Sequence, residues 1–150
     1  MRGDDAAGLE VVRIVHERAP GVDAVAHEGE PSALIGLWDG AAEALVVDAV
    51  QGGRAGELHR LEILPGGPFP PTWLPSTAAS THSLDLALVI ELARSLGRLP
   101  DRLMVIGICG EAFGTAAPLS GPARRGVDAA AELVLARIAG AGKYGSTTRG

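Results

Sequence analysis

The stretch Ala44-Leu45-Val46-Val47-Asp48-Ala49-Val50 decides the fold of this 150-residue chain. It is an apolar, β-branched run followed by the turn residues Gln51-Gly52-Gly53, a pattern typical of a strand covered on both faces in an α/β sheet. A carboxylate is costly there unless it lies at the carboxyl edge of the sheet, where open α/β sheets bind ligands. Asp48 is therefore either a turn residue or the floor of a site.

The composition restricts the class of protein. A length of 150 residues suits a single domain, which we expect over residues 1–140, with 141–150 as a flexible tail. The net charge of −5 argues against nucleic acid as a partner, because phosphate binding needs a basic face. The single cysteine, Cys109, excludes an internal disulfide and leaves no cysteine-based zinc site. No signal peptide or membrane-spanning run is visible, which predicts a cytoplasmic protein without a membrane partner.

Helical and extended segments alternate along the chain. The link between the strands predicted at 43–48 and 57–63 is too short for a parallel crossover, so the sheet is expected to be mixed. The alternation predicts a three-layer α/β/α sandwich around a mixed, mainly parallel sheet. The other predicted elements are a helix closed by Pro20, a short strand at 22–27, a helix at 31–38, a strand at 102–109 and a last helix from Ser120 to about Ala139.

The clearest helix follows a proline- and glycine-rich loop over residues 64–80. Ser80-Thr81-His82-Ser83 opens it, with Ser80, Thr81 or Ser83 as the cap, and Gly97 with Pro100 ends it. Leucines recur every four residues and form one apolar stripe, which neighbouring apolar residues widen. The stripe consists of Leu84, Leu88, Leu92 and Leu96, widened by Leu86, Val89 and Ile90.

Three residues are candidate metal ligands, each with an ordinary structural alternative. Asp5 either caps the first helix or supplies a metal ligand. Asp48 either forms a turn or supplies a metal ligand. His82 stands at a helix start, which disfavours imidazolium and leaves a neutral ring able to ligate, although a lone histidine is more often a surface residue. Two carboxylates and one imidazole suit nickel, zinc or a similar divalent ion.

Other reactive residues favour structural interpretations. The apolar neighbours of Cys109 indicate a buried thiol more than a nucleophile, and no base partner can be assigned to it. His16 and His59 are interpreted as surface residues. His27 and Glu28 end the predicted second strand at the same expected edge as Asp48, so they could line the site without ligating.

Five short motifs, in order, resemble the hydrogenase maturation proteases, which are endopeptidases that remove a C-terminal extension from the large subunit of nickel-iron hydrogenase. The resemblance covers nearly the whole chain. Its carriers are Arg2-Gly3-Asp4-Asp5-Ala6-Ala7-Gly8, similar to RGDDGxG; Leu45-Val46-Val47-Asp48-Ala49-Val50, similar to a hydrophobic-D-A-hydrophobic strand; Ser80-Thr81-His82-Ser83-Leu84, similar to S-x-H-x-L; Val105-Ile106-Gly107-Ile108; and Leu119-Ser120.

The resemblance implies roles for the three candidates. It assigns Asp5, Asp48 and His82 as metal contacts, and Asp5 and Asp48 as the catalytic residues of an aspartic-type endopeptidase. It implies that the metal is nickel already carried by the partner, the hydrogenase large-subunit precursor, although other divalent metals could occupy the site. The metal could polarise the scissile carbonyl or activate water, or serve only for recognition, with Asp5 or Asp48 as the general base.

Three departures from the family pattern carry expectations of their own. The family's first strand and the turn before RGDD are lacking, so the sheet is expected to lack one strand; a misplaced start codon is the simpler hypothesis. His27-Glu28-Gly29-Glu30 replaces D-G-G-T, which directs attention to Glu28 and Gly29 for substrate binding. Cys109-Gly110-Glu111 stands where members often have E-P-E. The alternative to an endopeptidase is a non-catalytic, chaperone-like binding domain for the precursor, its site impaired by the truncated N-terminus.

Overall fold

The computed structural model describes residues 7–26, 32–50, 54–64, 81–110 and 121–143, with the backbone alone at 50, 81–85 and 141–143. Four helices and three strands lie in these ranges. In chain order they are α1 (Ala7–Arg18), α2 (Ala33–Trp38), β1 (Glu43–Val50), β2 (Leu58–Ile63), α3 (Thr81–Leu96), β3 (Arg102–Cys109) and α4 (Gly121–Lys143). No helix among the described residues is both long and apolar enough to cross a membrane.

The strand order is β1-β3-β2, so the strand that comes last in the sequence lies in the middle of the sheet. β1 runs parallel to β3, and β2 runs antiparallel to it. The sheet is therefore mixed, as predicted. β3 is buried from Leu103 to Cys109, which explains its almost uninterrupted apolar sequence.

Helices cover both faces of this sheet and complete the predicted α/β/α sandwich. Alternate residues of β3 belong to two separate apolar clusters, as the period of two in a strand requires. Met104, Ile106 and Ile108 pack with α1 and α4, which we call the α1/α4 face. Leu103 and Val105 pack with α2 and α3, which we call the α2/α3 face.

On the α1/α4 face, two glycines allow a helix to approach the sheet more closely than a side chain would permit. A Cβ atom on Gly8 would lie 2.8 Å from the Val47 carbonyl oxygen, and one on Gly126 would lie 2.8 Å from Ile108 Cγ2. Real Cβ atoms do not come this close to their neighbours. The start of α1 therefore lies directly against the end of β1.

The predicted leucine stripe of α3 is not the buried face of the helix. Leu88 and Leu92 are 67% and 47% exposed, and Leu96 is exposed as well. The buried residues are Leu86, Val89, Ile90 and Ala93, whose spacing of three and four places them on one side. Because α3 is apolar around much of its circumference, the leucine stripe does not indicate which side of the helix faces the sheet.

The end of α3 follows the prediction. Gly97 has a φ of +71°, a conformation that glycine adopts without steric cost. The Gly97 N–H donates to the Arg94 carbonyl at 3.2 Å, and the Arg98 N–H donates to the Ala93 carbonyl at 2.8 Å. These two bonds form a Schellman motif, which satisfies carbonyls that the helix end leaves free.

The segment predicted as a strand at 22–27 is not one where it is described. Residues 22–26 form no ladder, and residues 22–25 line a cavity of about 800 Å³ together with Leu45 and Val47 of β1. Val22 and Ala24 instead pack against the apolar cluster of the α1/α4 face. At the other end of the chain, α4 continues to Lys143, three residues into the segment predicted as a tail.

Candidate functional site

Asp48 lies inside β1 and not in a turn, because the strand continues to Val50. It pairs with Gly107 of β3. Its side chain is partly buried, and the Ala49 N–H donates to Asp48 Oδ1 at 2.9 Å. The turn alternative is therefore wrong, and the carboxylate is held within the sheet near its carboxyl edge.

The register of the sheet explains how a carboxylate is tolerated at this position. Asp48 and Gly107 are partners, and Gly107 is also the partner of His59 on β2. Partners on adjacent strands point to the same face, which here is the α2/α3 face because Val46 and Val105, two residues earlier, pack there. Gly107 places no side chain between Asp48 and His59, whose backbones are about 9.6 Å apart at two strand spacings.

His82 is the second residue of α3, so the predicted helix start is confirmed at Thr81. Five residues separate Leu96 from Arg102, so α3 must run back along the sheet antiparallel to β3. A helix of 16 residues and a strand of eight have similar lengths, about 24 and 26 Å at the usual rise per residue. The start of α3 therefore lies toward the carboxyl edge of the sheet, on the face of Asp48.

The remaining predicted site residues, Asp5, Glu28 and Gly29, lie outside the described residues. The nearest described position to Asp5 is the start of α1. A Cβ atom on Gly8 would be 3.9 Å from the Asp48 Cα atom, and Asp5 precedes Gly8 by three residues in the sequence. Two of the three predicted metal contacts, Asp48 and His82, thus have described backbone positions.

A second group of polar side chains lies beside Asp48, on the other side of Gly107. The ligand atoms of Glu57, His59 and Cys109 are all within 4.8 Å of one another. His59 Nε2 lies 3.7 Å from Glu57 Oε1, and that oxygen accepts the Arg54 N–H at 3.1 Å. This group contains the donor types that bind transition metals, so the single cysteine, which leaves no site built from cysteines alone, does not exclude a site with mixed ligands.

The surroundings of Cys109 argue against a nucleophile. The thiol is fully buried, and burial followed by the charge of Glu57 raises its pKa. A raised pKa keeps the sulfur protonated at neutral pH, and the thiol is a far weaker nucleophile than the thiolate. The prediction of a buried, non-nucleophilic thiol is consistent with this environment.

The interpretation of His59 as a surface residue was wrong. Its side chain is 35% exposed, but the Nε2 atom is buried and has no hydrogen-bond partner among the described residues. A signal was present in the sequence, since Glu57 and His59 are two apart on a strand and must share a face. The partner residue, Cys109, could be identified only from the register of β2 against β3.

Comparisons with known proteins agree with this architecture. The sequence profile of the HycI hydrogenase maturation protease family matches residues 29–137. The hydrogenase maturating endopeptidase HybD from Escherichia coli is 21% identical with a TM-score of 0.72, and the alignment covers 99% of this chain and 90% of that one. The solution structure of an endopeptidase from Escherichia coli is 20% identical with a TM-score of 0.75 and the same coverage.

An archaeal structure is also similar. The [NiFe] hydrogenase maturation protease HycI from Thermococcus kodakarensis KOD1 is 25% identical with a TM-score of 0.63, covering 89% of this chain and 82% of that one. No curated protein sequence matches the chain. The family profile spans more than half of the chain, and solved endopeptidases share its fold. The chain belongs to the hydrogenase maturation protease family and is an endopeptidase of that type.

Proposed function

We propose that this protein removes the C-terminal extension from the large-subunit precursor of a nickel-iron hydrogenase, acting in the cytoplasm on a precursor that already carries nickel. Residues 1–140 would act as one domain. One observation carries the proposal: the partly exposed Asp48 carboxylate stands beside Gly107 near the carboxyl edge of the sheet, on the face where α3 begins at Thr81-His82. Ligands of α/β sheets bind at that edge.

The proposed metal contacts are Asp5, Asp48 and His82. Carboxylate oxygens with one imidazole suit nickel and related divalent ions. We treat nickel as cargo of the precursor, so the protease would recognise a loaded substrate and need not retain the metal afterwards. The approach of Gly8 to Val47 and Asp48 supports this set, because it brings the segment that follows Asp5 to the backbone of β1 at Asp48.

The chain's own residues would orient the scissile bond and move a proton. The Ala49 N–H fixes the direction of the Asp48 carboxylate through Oδ1, which prepares it to contact metal or to accept a proton from attacking water. Asp5 is the second candidate for the general base. Glu28 and Gly29 would contact the substrate, because their segment departs from the family pattern.

The direct test compares two substrates. The purified protein is incubated with nickel-loaded large-subunit precursor and, in parallel, with the same precursor prepared without nickel; mass spectrometry then follows the released C-terminal peptide. We expect release from the nickel-loaded precursor only. Equal cleavage of both precursors would contradict the role of nickel. Retained binding to the loaded precursor without any cleavage would instead support the chaperone-like alternative.

His82→Ala tests the proposed metal contact on α3. We expect processing to fall below detection while the thermal unfolding curve stays unchanged, because His82 lies in the first turn of the helix, where a polar residue is easily replaced by alanine. His16→Ala, on the far side of the sheet in α1, is the matched histidine control and should process normally. Normal processing by His82→Ala would remove His82 from the site.

A further inference from the structure

We propose that Glu57, His59 and Cys109 form a second metal-binding site, selective for Zn²⁺ and ions of similar softness. This site is separate from the proposed Asp5, Asp48 and His82 contacts. It does not depend on the proposed proteolytic function, because its argument rests only on the pairing of β2 with β3.

Strand register brings the three side chains to one place. His59 is opposite Gly107, and the ladder continues to Glu57 and Cys109, where the Cys109 N–H donates to the Glu57 carbonyl at 2.9 Å. Opposite residues in an antiparallel pair share a face, so all three side chains project to the α2/α3 face. Because Gly107 has no side chain, the imidazole of His59 has room to lean toward Cys109.

The distances suit a single ion. The three ligand atoms lie within 4.8 Å of one another. A tetrahedral zinc site with bonds of about 2.0–2.3 Å places its ligand atoms about 3.3–3.8 Å apart. Closing the difference requires shifts of about 1 Å at the ends of flexible side chains, which the part-exposed Glu57 can make.

The donor chemistry selects the metal. A thiol sulfur, an imidazole nitrogen and a carboxylate oxygen are the three zinc ligand types in proteins, and the sulfur disfavours magnesium and calcium. His59 Nε2 is buried without a hydrogen-bond partner among the described residues, which is costly unless a ligand satisfies it. The Arg54 N–H donates to Glu57 Oε1 and orients the carboxylate, as supporting contacts do at metal sites.

The site is buried at Cys109 and exposed to solvent at Glu57 and His59. Cys109 is fully buried, whereas the side chains of Glu57 and His59 are 49% and 35% exposed. Metal would enter from the Glu57 side. On binding, the Cys109 S–H bond breaks, the metal–sulfur bond forms and the proton passes to solvent. Three protein ligands leave a fourth position for water or another ligand.

Cobalt(II) titration of the full-length protein tests the proposal. Cobalt replaces zinc at tetrahedral sites, and a cobalt–thiolate bond produces a charge-transfer absorption in the near ultraviolet. Because Cys109 is the only cysteine in the chain, such a band can come from no other residue. We expect a band that saturates at one equivalent of Co²⁺ and disappears when Zn²⁺ is added.

Four variants separate this site from its neighbour. Cys109→Ala should lose the band, and Glu57→Gln and His59→Gln should weaken cobalt binding at least tenfold, since even outer contacts of a metal ligand are worth about tenfold. Asp48→Asn should keep the band. Circular dichroism confirms folding, and the part-exposed Glu57 and His59 variants test the site even if Cys109→Ala unfolds. A missing band in the wild-type protein, or a band that needs Asp48, would overturn the proposal.

Discussion

The two faces of the sheet are built from the same three strands but carry different kinds of side chain. On the α1/α4 face the parallel strands β1 and β3 carry apolar side chains to their carboxyl ends, Ile106 and Ile108 included, and helices lie against them. On the α2/α3 face the apolar cover stops after Val105, and Gly107 and Cys109 follow in the same strand. One alternating strand thus supplies an apolar core on one side and room for polar chemistry on the other.

The sharpest test of this difference is Asp48→Asn, which removes a charge from the α2/α3 face and keeps the shape of the side chain. We expect processing of the nickel-loaded precursor to fall at least about a thousandfold, equivalent to about 4 kcal/mol of transition-state stabilisation. The melting temperature should change little, because Asp48 is partly exposed. Precursor cleavage rates measure the effect.

Asp128→Asn is the matched control. Asp128 is exposed on α4, so the same chemical change on the opposite side of the sheet should leave processing at the wild-type rate. If the two variants process equally well, the α2/α3 face is not where the reaction occurs.

A second comparison concerns the orientation of α3 over the α2/α3 face. Ile90 is 1% exposed and Leu92 is 47% exposed, although both are large aliphatic residues of one helix. Ile90→Ala should lower the free energy of unfolding by about 3 kcal/mol through lost burial and a cavity. Leu92→Ala should cost below about 1 kcal/mol, because much of that side chain already contacts water. Urea unfolding measures both, and a larger loss at Leu92 would reverse the assignment.

The smallest expected effect tests the close contact on the α1/α4 face. Alanine at Gly126 gains helix propensity of about 1 kcal/mol but meets Ile108 Cγ2 at 2.8 Å and the Gly56 carbonyl oxygen at 3.0 Å. Overpacking of this kind costs about 1–3 kcal/mol, so we expect a net loss of about 1 kcal/mol.

Gly140 provides the control on the same helix, since a Cβ atom there would meet nothing within 4 Å. Gly140→Ala should raise stability by about 0.5–1 kcal/mol through helix propensity alone. Thermal melts of the two variants should therefore move in opposite directions, and a stabilised Gly126→Ala would show that α4 can move away from the sheet.

The elements that the sequence predicted well are those with strong local signals. Arg102–Cys109 was predicted with both ends correct, because a buried strand between turn residues has an unambiguous pattern. The end of α3 at Gly97 followed from its conformational freedom. The orientation of α3 was missed, since a helix with apolar residues on most sides does not reveal which side meets the sheet.

The candidate site also contains residues that the sequence could predict and residues that it could not. Asp48 could be placed at a carboxyl edge from its strand alone, and the start of α3 at Thr81-His82 was recovered from capping residues. The proposed roles of Asp48 and His82 in metal contact came from the family resemblance. The group at Glu57, His59 and Cys109 was not predictable as a whole, because Cys109 lies some 50 residues from the other two in sequence and meets them only through a ladder register that no local pattern specifies.

The central position of β3 determines when the protein can fold during synthesis. β1 and β2 have their described partner in β3 alone, and β3 follows them in the chain. Until Cys109 has left the ribosome, both earlier strands expose unpaired backbone edges, which are templates for wrong pairing. Non-local pairing also slows folding, because the intervening chain must close first. The nascent chain therefore exposes β1 and β2 until β3, their pairing partner among the described strands, has been translated.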